Sequence, residues 1–188
     1  MIMKKLSLMI LALVLGTTAF GQKFVPTING NSVISYTFTQ NDGQPIPLTL
    51  TITSLGAPTK MDWSIDGYGN GSYEMSAKAL ESGKGMSIAT PQPDILTKLP
   101  DYKTVACISK EAFNNLVKTQ AFEYDDLKYS VTKTDVSLML NDKPLDVFHA
   151  VATNGKGELW ILNNPDFPLI CKTKDNAQGV DLNLVSVK

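Results

Sequence analysis

The chain has 188 residues, with 17 lysines, no arginine and 18 acidic residues, and its formal net charge at pH 7 is −1. This length predicts one domain that can bury a sizeable core. Recognition of nucleic acids relies on positive charge and on the planar guanidinium of arginine, which hydrogen-bonds phosphates and base edges. We therefore expect no nucleic-acid partner.

The first 21 residues are typical of a secretory signal peptide. A positive start, MIMKK, precedes the apolar run LSLMILALVLGTTAF and the small residues of Ala19-Phe20-Gly21. The run is interrupted at Gly16, whereas a membrane span needs about 18 or more apolar residues. We expect cleavage near Gly21-Gln22 and a periplasmic or secreted mature chain, residues 22–188, that has no membrane span. Without the two lysines of the signal, its net charge is −3.

Alternation of apolar and polar residues predicts strands over most of the first half of the chain. The apolar positions of these strands are Ile34, Tyr36 and Phe38; Ile46, Leu48, Leu50 and Ile52; Met61, Trp63 and Ile65; and Tyr73, Met75, Ala77 and Ala79, with a short run at Met86–Ala89. A strand with one apolar and one polar face favours antiparallel pairing.

The middle of the chain predicts a connection followed by a single helix. Residues 91–103, PQPDILTKLPDYK, contain three prolines and indicate irregular structure. Thr104–Ile108 has the composition of a brief buried strand. Ser109 is a good helix N-cap, and Ala112, Phe113, Leu116 and Val117 share one face at helical spacing. We expect this helix to run from about Lys110 to Thr119.

Alternation returns in the last third. It predicts strands at Leu127–Val131, Val136–Leu140, Leu145–Val151, Glu158–Leu162, Leu169–Lys174 and Val180–Leu184. The segment NNPDFP, residues 163–168, has the prolines and asparagines of a turn. We interpret the group Trp160, Asn163 and Asp166 as part of a hairpin in the middle of the sheet, and not as a binding site.

These elements predict a mainly β (α+β) fold, with a single large curved antiparallel sheet and one short helix. The stretches SYEMSAKALESGKG, ISKEAFNNLV, GELWILNNPDFPLI and GVDLNLVSVK resemble uncharacterised secreted or periplasmic bacterial proteins related to the LolA/LppX-like fold of lipoprotein carriers. The resemblance covers roughly Val33 to Lys188. It implies an incomplete barrel, LolA-like, in which an antiparallel sheet curls around helices and leaves an apolar concavity. It implies no catalytic residue.

Three acidic residues supply the main catalytic alternative. Asp62 and Asp66 share a predicted strand face, where about 3.3 Å per residue separates their backbones by roughly 13 Å. Carboxylate pairs of glycosidases lie about 5–10 Å apart, so Glu74 from the neighbouring strand would have to complete a pair. The alternative function is therefore an envelope glycan or peptide hydrolase that uses Asp62 or Asp66 with Glu74. Solvated carboxylates on a strand face are the simpler interpretation.

The glycine-rich segment Asp66–Ser72 invites comparison with ligand-binding loops. Tyr68 stands where a calcium loop needs an oxygen ligand, and Ala77 stands where it needs a bidentate acid. The spacing of the glycines also differs from that of phosphate-binding loops. We therefore expect a hairpin loop here, with no metal and no cofactor.

Two cysteines and one histidine are the remaining candidates for reactive groups. Cys107 and Cys171 form either a disulfide, closing a loop of 65 residues worth about 4 kcal/mol, or two separate buried thiols. The only histidine, His149, lies among the apolar positions of its strand with Val147 and Val151. We expect it to be bonded to the backbone and not to act as a general base.

The first functional hypothesis is a non-enzymatic exported domain that binds an apolar small molecule, a lipid or an envelope protein in the concavity of its sheet. The candidate lining consists of Met61, Trp63, Ile65, Tyr73 and Met75. The alternatives are the hydrolase described above and a structural or adhesion module that pairs through a sheet edge.

Overall fold

The computed structural model describes residues 23–40, 43–87, 91–133 and 137–188. The predicted signal segment 1–21, Ala89 and Val136 lie outside the described residues. Within the described ranges the strands are β1 (Val33–Gln40), β2 (Ile46–Ser54), β3 (Thr59–Ile65), β4 (Gly69–Met75), β5 (Gly85–Met86), β6 (Leu96–Lys98), β7 (Lys103–Thr104), β8 (Ala121–Tyr124), β9 (Leu127–Val131), β10 (Met139–Leu140), β11 (Lys143–Pro144), β12 (Val147–Ala152), β13 (Glu158–Leu162), β14 (Ile170–Lys174) and β15 (Val180–Val187). The helices are α1 (Ala77–Ser82) and α2 (Lys110–Thr119).

One sheet of eleven strands dominates the fold, in the order β6-β4-β3-β2-β1-β15-β14-β13-β12-β9-β8. The prediction of a mainly β chain with a single large sheet is confirmed. The prediction that the sheet is antiparallel throughout is wrong, because β6 pairs parallel to β4. A parallel neighbour needs a long crossover connection, and the segment between these strands contains α1. The sheet is therefore mixed, and the pairings of the described residues do not close it into a barrel.

The first and last strands of the sheet lie side by side at its centre. β1 pairs with β15 at seven positions, from Ile34 opposite Val187 to Gln40 opposite Val180. A register shift between Ser35 and Tyr36 leaves Val185 as an extra residue, which is half exposed. Such a bulge increases the local twist of a strand pair. The pairing joins the N-terminal and C-terminal halves of the chain into one sheet.

The core lies on one face of this sheet, which we call the inner face. Its alternating strand residues form cross-strand rows, such as Ile34 opposite Leu50 and Leu50 opposite Trp63, all at most 1% exposed. The helix α2 adds Phe113, whose ring packs edge-on against Phe148 of β12. Burial of apolar area in these rows stabilises the sheet by about 25 cal/mol per Å².

The helix α1 occupies residues for which the sequence predicts a strand, so that prediction is wrong at Ala77 and Ala79. The Ser76 hydroxyl caps the helix by accepting a hydrogen bond from the Ala79 amide at 3.1 Å. Alanine, lysine, leucine and glutamate, which fill this helix, have high helix propensity. A serine cap before such residues overrides the alternation that continues from β4. The chain thus has two helices in its described part, not one.

The helix α2 has the predicted bounds, and its predicted cap is confirmed. Ser109 accepts a hydrogen bond from the Ala112 amide at 3.4 Å, and Gln120 ends the helix in the left-handed conformation with φ of 57°. Phe113 and Leu116 are buried, but Val117 is 47% exposed and does not belong to the buried face. Neither helix in the described ranges is long and apolar enough to cross a bilayer.

The predicted turn at residues 163–168 is confirmed. It connects β13 with β14, which pair antiparallel in the middle of the sheet. The Asn164 side chain accepts hydrogen bonds from the Asp166 and Phe167 amides at 3.0 and 3.3 Å, and Phe167 is buried. Asparagine holds the turn through local side-chain hydrogen bonds, as its propensity for such positions predicts.

Gly71 should be essential to the packing of the β3–β4 hairpin. It lies opposite Trp63, and a Cβ atom at this position would come within 2.9 Å of the Trp63 Nε1 and of the Ile95 carbonyl oxygen. We expect Gly71→Ala to lower the free energy of unfolding by about 1–3 kcal/mol in urea denaturation. Gly30→Ala is the control, since the Cβ that this substitution adds would meet no atom within 4 Å beyond its chain neighbours. Equal stability of the two variants would contradict this account.

Candidate functional site

The inner face of the sheet borders a cavity of about 510 Å³ where β1, β2 and β15 lie side by side. Phe38 pairs with Leu182 on one side and with Ile46 on the other, and Tyr36 pairs with Leu48. These cross-strand rows give the cavity a continuous wall of aliphatic and aromatic side chains.

The opposite wall comes from connections and not from the sheet. It includes Tyr68 of the β3–β4 turn, Met86 of β5, Pro91, and Val105 just after β7. The Tyr68 hydroxyl donates to the Pro91 carbonyl oxygen at 2.9 Å, which joins two of these connections across the cavity rim. The wall is again mainly apolar, so the whole space is suited to an apolar ligand.

The predicted lining is divided between cavity and core. Ile65 and Tyr73 lie in the cavity wall. Met61, Trp63 and Met75 are at most 1% exposed and belong to the packed core, outside that wall. All five lie on the inner face, as the alternation predicts. The alternation does not indicate which of them border the cavity and which are covered by the packed core.

Sequence reasoning missed most of the wall. Phe38, Leu48 and Leu182 belong to predicted strands, but their meeting depends on β15 pairing with β1, more than 140 residues away in the chain. Val105 and Met86 come from short connections with little periodicity. The register of the sheet, which a single sequence does not contain, is the missing signal.

Polar groups around the cavity are few. The Tyr36 hydroxyl donates to the Ile170 carbonyl oxygen at 2.8 Å, and burial raises its pKa well above the ordinary value. Burial, together with the nearby Tyr68, raises the pKa of Tyr73 to about 12. Both phenols therefore stay protonated at neutral pH. They offer no negative charge and no general base to a ligand.

Two of the three carboxylates of the hydrolase alternative are bonded to neighbouring side chains. Asp62 is exposed and accepts a hydrogen bond from the Ser72 hydroxyl at 2.6 Å. Glu74 forms ion pairs with Lys60 at 3.2 Å and Lys98 at 3.4 Å. Hydrogen bonds from these lysines lower the pKa of Glu74, which disfavours the protonated form that a general acid needs. Of the three acids, only Asp66 reaches the cavity.

The turn Asp66–Ser72 has structural reasons for its glycines. Gly67 and Gly69 adopt positive φ of 75° and 145°, where glycine avoids the strain that other residues suffer. Gly71 leaves room for the Trp63 side chain. Within the described ranges, no three His, Cys, Asp or Glu side chains come together as a group that could hold a metal ion.

The two cysteines are buried and free. Cys107 forms an isolated antiparallel bridge with Leu169, two residues before Cys171. Burial raises the pKa of each thiol to about 12, which makes both poor nucleophiles.

His149 lies on the outer face of the sheet in a cluster with Trp160. Its Nε2 is 2.7 Å from the Glu158 carboxylate, so its partner is a side chain and not the predicted backbone group. The imidazole stacks on Trp160 at 4.2 Å, and the Lys172 ammonium lies 4.9 Å from the same indole. β12 and β14 flank β13, so the two groups contact the indole from the two neighbouring strands.

The two edges of the sheet are short and charged. β6 has three residues and includes Lys98, and β8 has four and includes Glu123. Short edge strands with charged side chains oppose pairing with another chain. The edges therefore give the adhesion alternative no support.

Glu158 should stabilise the protein at neutral pH and lose this effect in acid. Hydrogen bonds from Lys174 at 2.7 Å and from His149 lower its pKa. A carboxylate with a lowered pKa in the folded state contributes its stability above the ordinary pKa of about 4.3, and the contribution is lost as the pH falls through the lowered value.

The test is urea denaturation of Glu158→Gln from pH 7 downward. We expect a loss of about 1 kcal/mol at pH 7, which shrinks to nothing below the lowered pKa. Glu123→Gln is the matched control, because Glu123 is 67% exposed and pairs with Lys128 at 3.8 Å. An effect of Glu158→Gln that is constant with pH would rule out the ionic contribution.

Comparison with known proteins gives no relative: no family model, no curated protein and no solved structure matches this chain.

Proposed function

We propose that this protein is a non-enzymatic binding domain that holds an apolar small molecule in the cavity on the inner face of its sheet. The observation that carries the proposal is the cavity of about 510 Å³ and its mainly apolar wall. Ligand sites of proteins usually have volumes of about 300–1,000 Å³, mostly apolar linings and few polar groups. The cavity matches each of these properties.

The size of the cavity supports a ligand more than a packing defect. Protein interiors are close-packed, with few voids larger than a water molecule. An engineered apolar cavity of about 150 Å³ already binds benzene. The space here is more than three times larger, and it is bordered by residues such as Phe38 and Leu48 that remain partly exposed beside it.

The way the two ends of the sheet are connected supports a curled, incomplete barrel. The Asp125 carboxylate, in the turn after β8, accepts hydrogen bonds from the Met86 amide at 3.0 Å and from Lys103 at 3.1 Å. Met86 and Lys103 belong to β5 and β7, which follow β4 near the opposite end of the sheet. Eleven flat strands would span about 48 Å, so this contact supports a curved sheet.

A curled open sheet with helices and an apolar cavity on its inner side agrees with the resemblance to the LolA/LppX-like lipoprotein carriers. We extend the proposal to an exported protein, with residues 1–21 as its signal peptide and 22–188 as the mature domain. A protein of this kind shields an apolar molecule from water in the periplasm or outside the cell.

Filling the cavity should abolish binding without unfolding the protein. Leu48 lies in the cavity wall and is only partly buried, so Leu48→Trp places a large ring in the space. We expect binding of the neutral fluorescent probe phenylnaphthylamine to weaken at least about tenfold. Val185→Trp is the control, since Val185 is half exposed and is not part of the wall.

Circular dichroism of each variant checks that the fold is retained. Native mass spectrometry of the mature protein, after exposure to a bacterial lipid extract, tests for retained natural ligands. A wild-type protein that binds neither probe nor lipid would refute the proposed function.

A further inference from the structure

The described residues that line the cavity include an acidic side chain and no basic one. Among the described residues that line it, Asp66 is the one that is charged at neutral pH, and no lysine contributes to the wall. Asp66 follows β3 at the rim, where its carboxylate is exposed to solvent. The protonated phenols of Tyr36 and Tyr73 add no charge to the interior. A bound molecule therefore meets negative potential at the rim and apolar surface inside.

Lys103, one of two lysines that come two residues before a residue of this wall, is already paired. Lys103 precedes Val105 by two residues, but its ammonium donates to the Asp125 carboxylate and to the Met86 carbonyl oxygen, both at 3.1 Å. Its side chain is 27% exposed, and that of Asp125 is 9% exposed. An ammonium held in this way has its charge compensated and two of its three donors occupied, so it attracts an anionic ligand group less than a free lysine does.

We propose that the cavity selects apolar molecules whose polar end is neutral or positively charged, and disfavours anionic ones such as fatty acids. This inference rests on the proposed function and adds the chemical class of the ligand. An anionic head group at the rim would be repelled by Asp66 and would find no cation among the described residues of the wall. A cationic or neutral head avoids both costs.

The size of the effect follows from Coulomb's law. At about 6 Å in a water-like dielectric, one unit of charge changes the affinity about threefold. A cation and an anion with the same tail should therefore differ about tenfold. Because the carboxylate is exposed, the difference should decrease as the salt concentration rises.

The experiment uses three ligands with one tail. Dodecylamine, dodecanol and dodecanoate, each below its micelle-forming concentration, displace phenylnaphthylamine from the mature protein at pH 7 and low salt. We expect dodecylamine to bind about tenfold more tightly than dodecanoate, with dodecanol between them. Asp66→Asn should reduce this ratio to about one, because both factors come from the Asp66 charge.

Asp62→Asn is the matched control, because Asp62 lies in the same hairpin but on the polar face of β3, away from the cavity. It should leave the ratio unchanged. Equal affinities for the three ligands, or a ratio that Asp66→Asn does not alter, would overturn the charge selectivity while leaving the proposed function intact. Failure of all three ligands and of the probe to bind would overturn both.

Discussion

The pairing of β1 with β15 is the interaction on which the rest of the structure depends. It brings the two ends of the described chain together over seven positions and joins two separate sets of strands into one sheet. The inner faces of both halves thereby share a single core. The cavity also depends on this pairing, because its sheet wall contains Phe38 from one half and Leu182 from the other. Contacts so distant in sequence form slowly, since a long loop must close first.

Much of the fold could be predicted from local patterns. Alternation identified β1, β2 and β3, and the Ser109 cap with its apolar spacing identified α2. Prediction failed at α1, where Ala77 and Ala79 continue the alternation of β4 although Ser76 already starts a helix. It also failed for the parallel strand β6, because a single sequence does not specify which distant strand a short segment joins. Local periodicity thus predicts elements better than it predicts their neighbours.

The candidate site was only partly predictable, for a related reason. Ile65 and Tyr73 line the cavity as expected, but Met61 and Met75, on the same face, are fully covered. Whether a residue of the inner face borders space or core depends on what packs above it. That layer includes the connection through Val105, whose path is set by tertiary contacts and not by any repeating pattern.

The two tryptophans lie on opposite faces of one sheet, so the fluorescence of each reports on a different side of the protein. Trp63 is 1% exposed and lies 6.2 Å from the ring of Tyr68 at the cavity rim. Trp160 lies between an imidazole and an ammonium on the other side. The two indoles therefore sit in very different dielectric surroundings, and their emission bands should separate. The fluorescence of Trp63 should therefore report on the buried inner face, and that of Trp160 on the outer face.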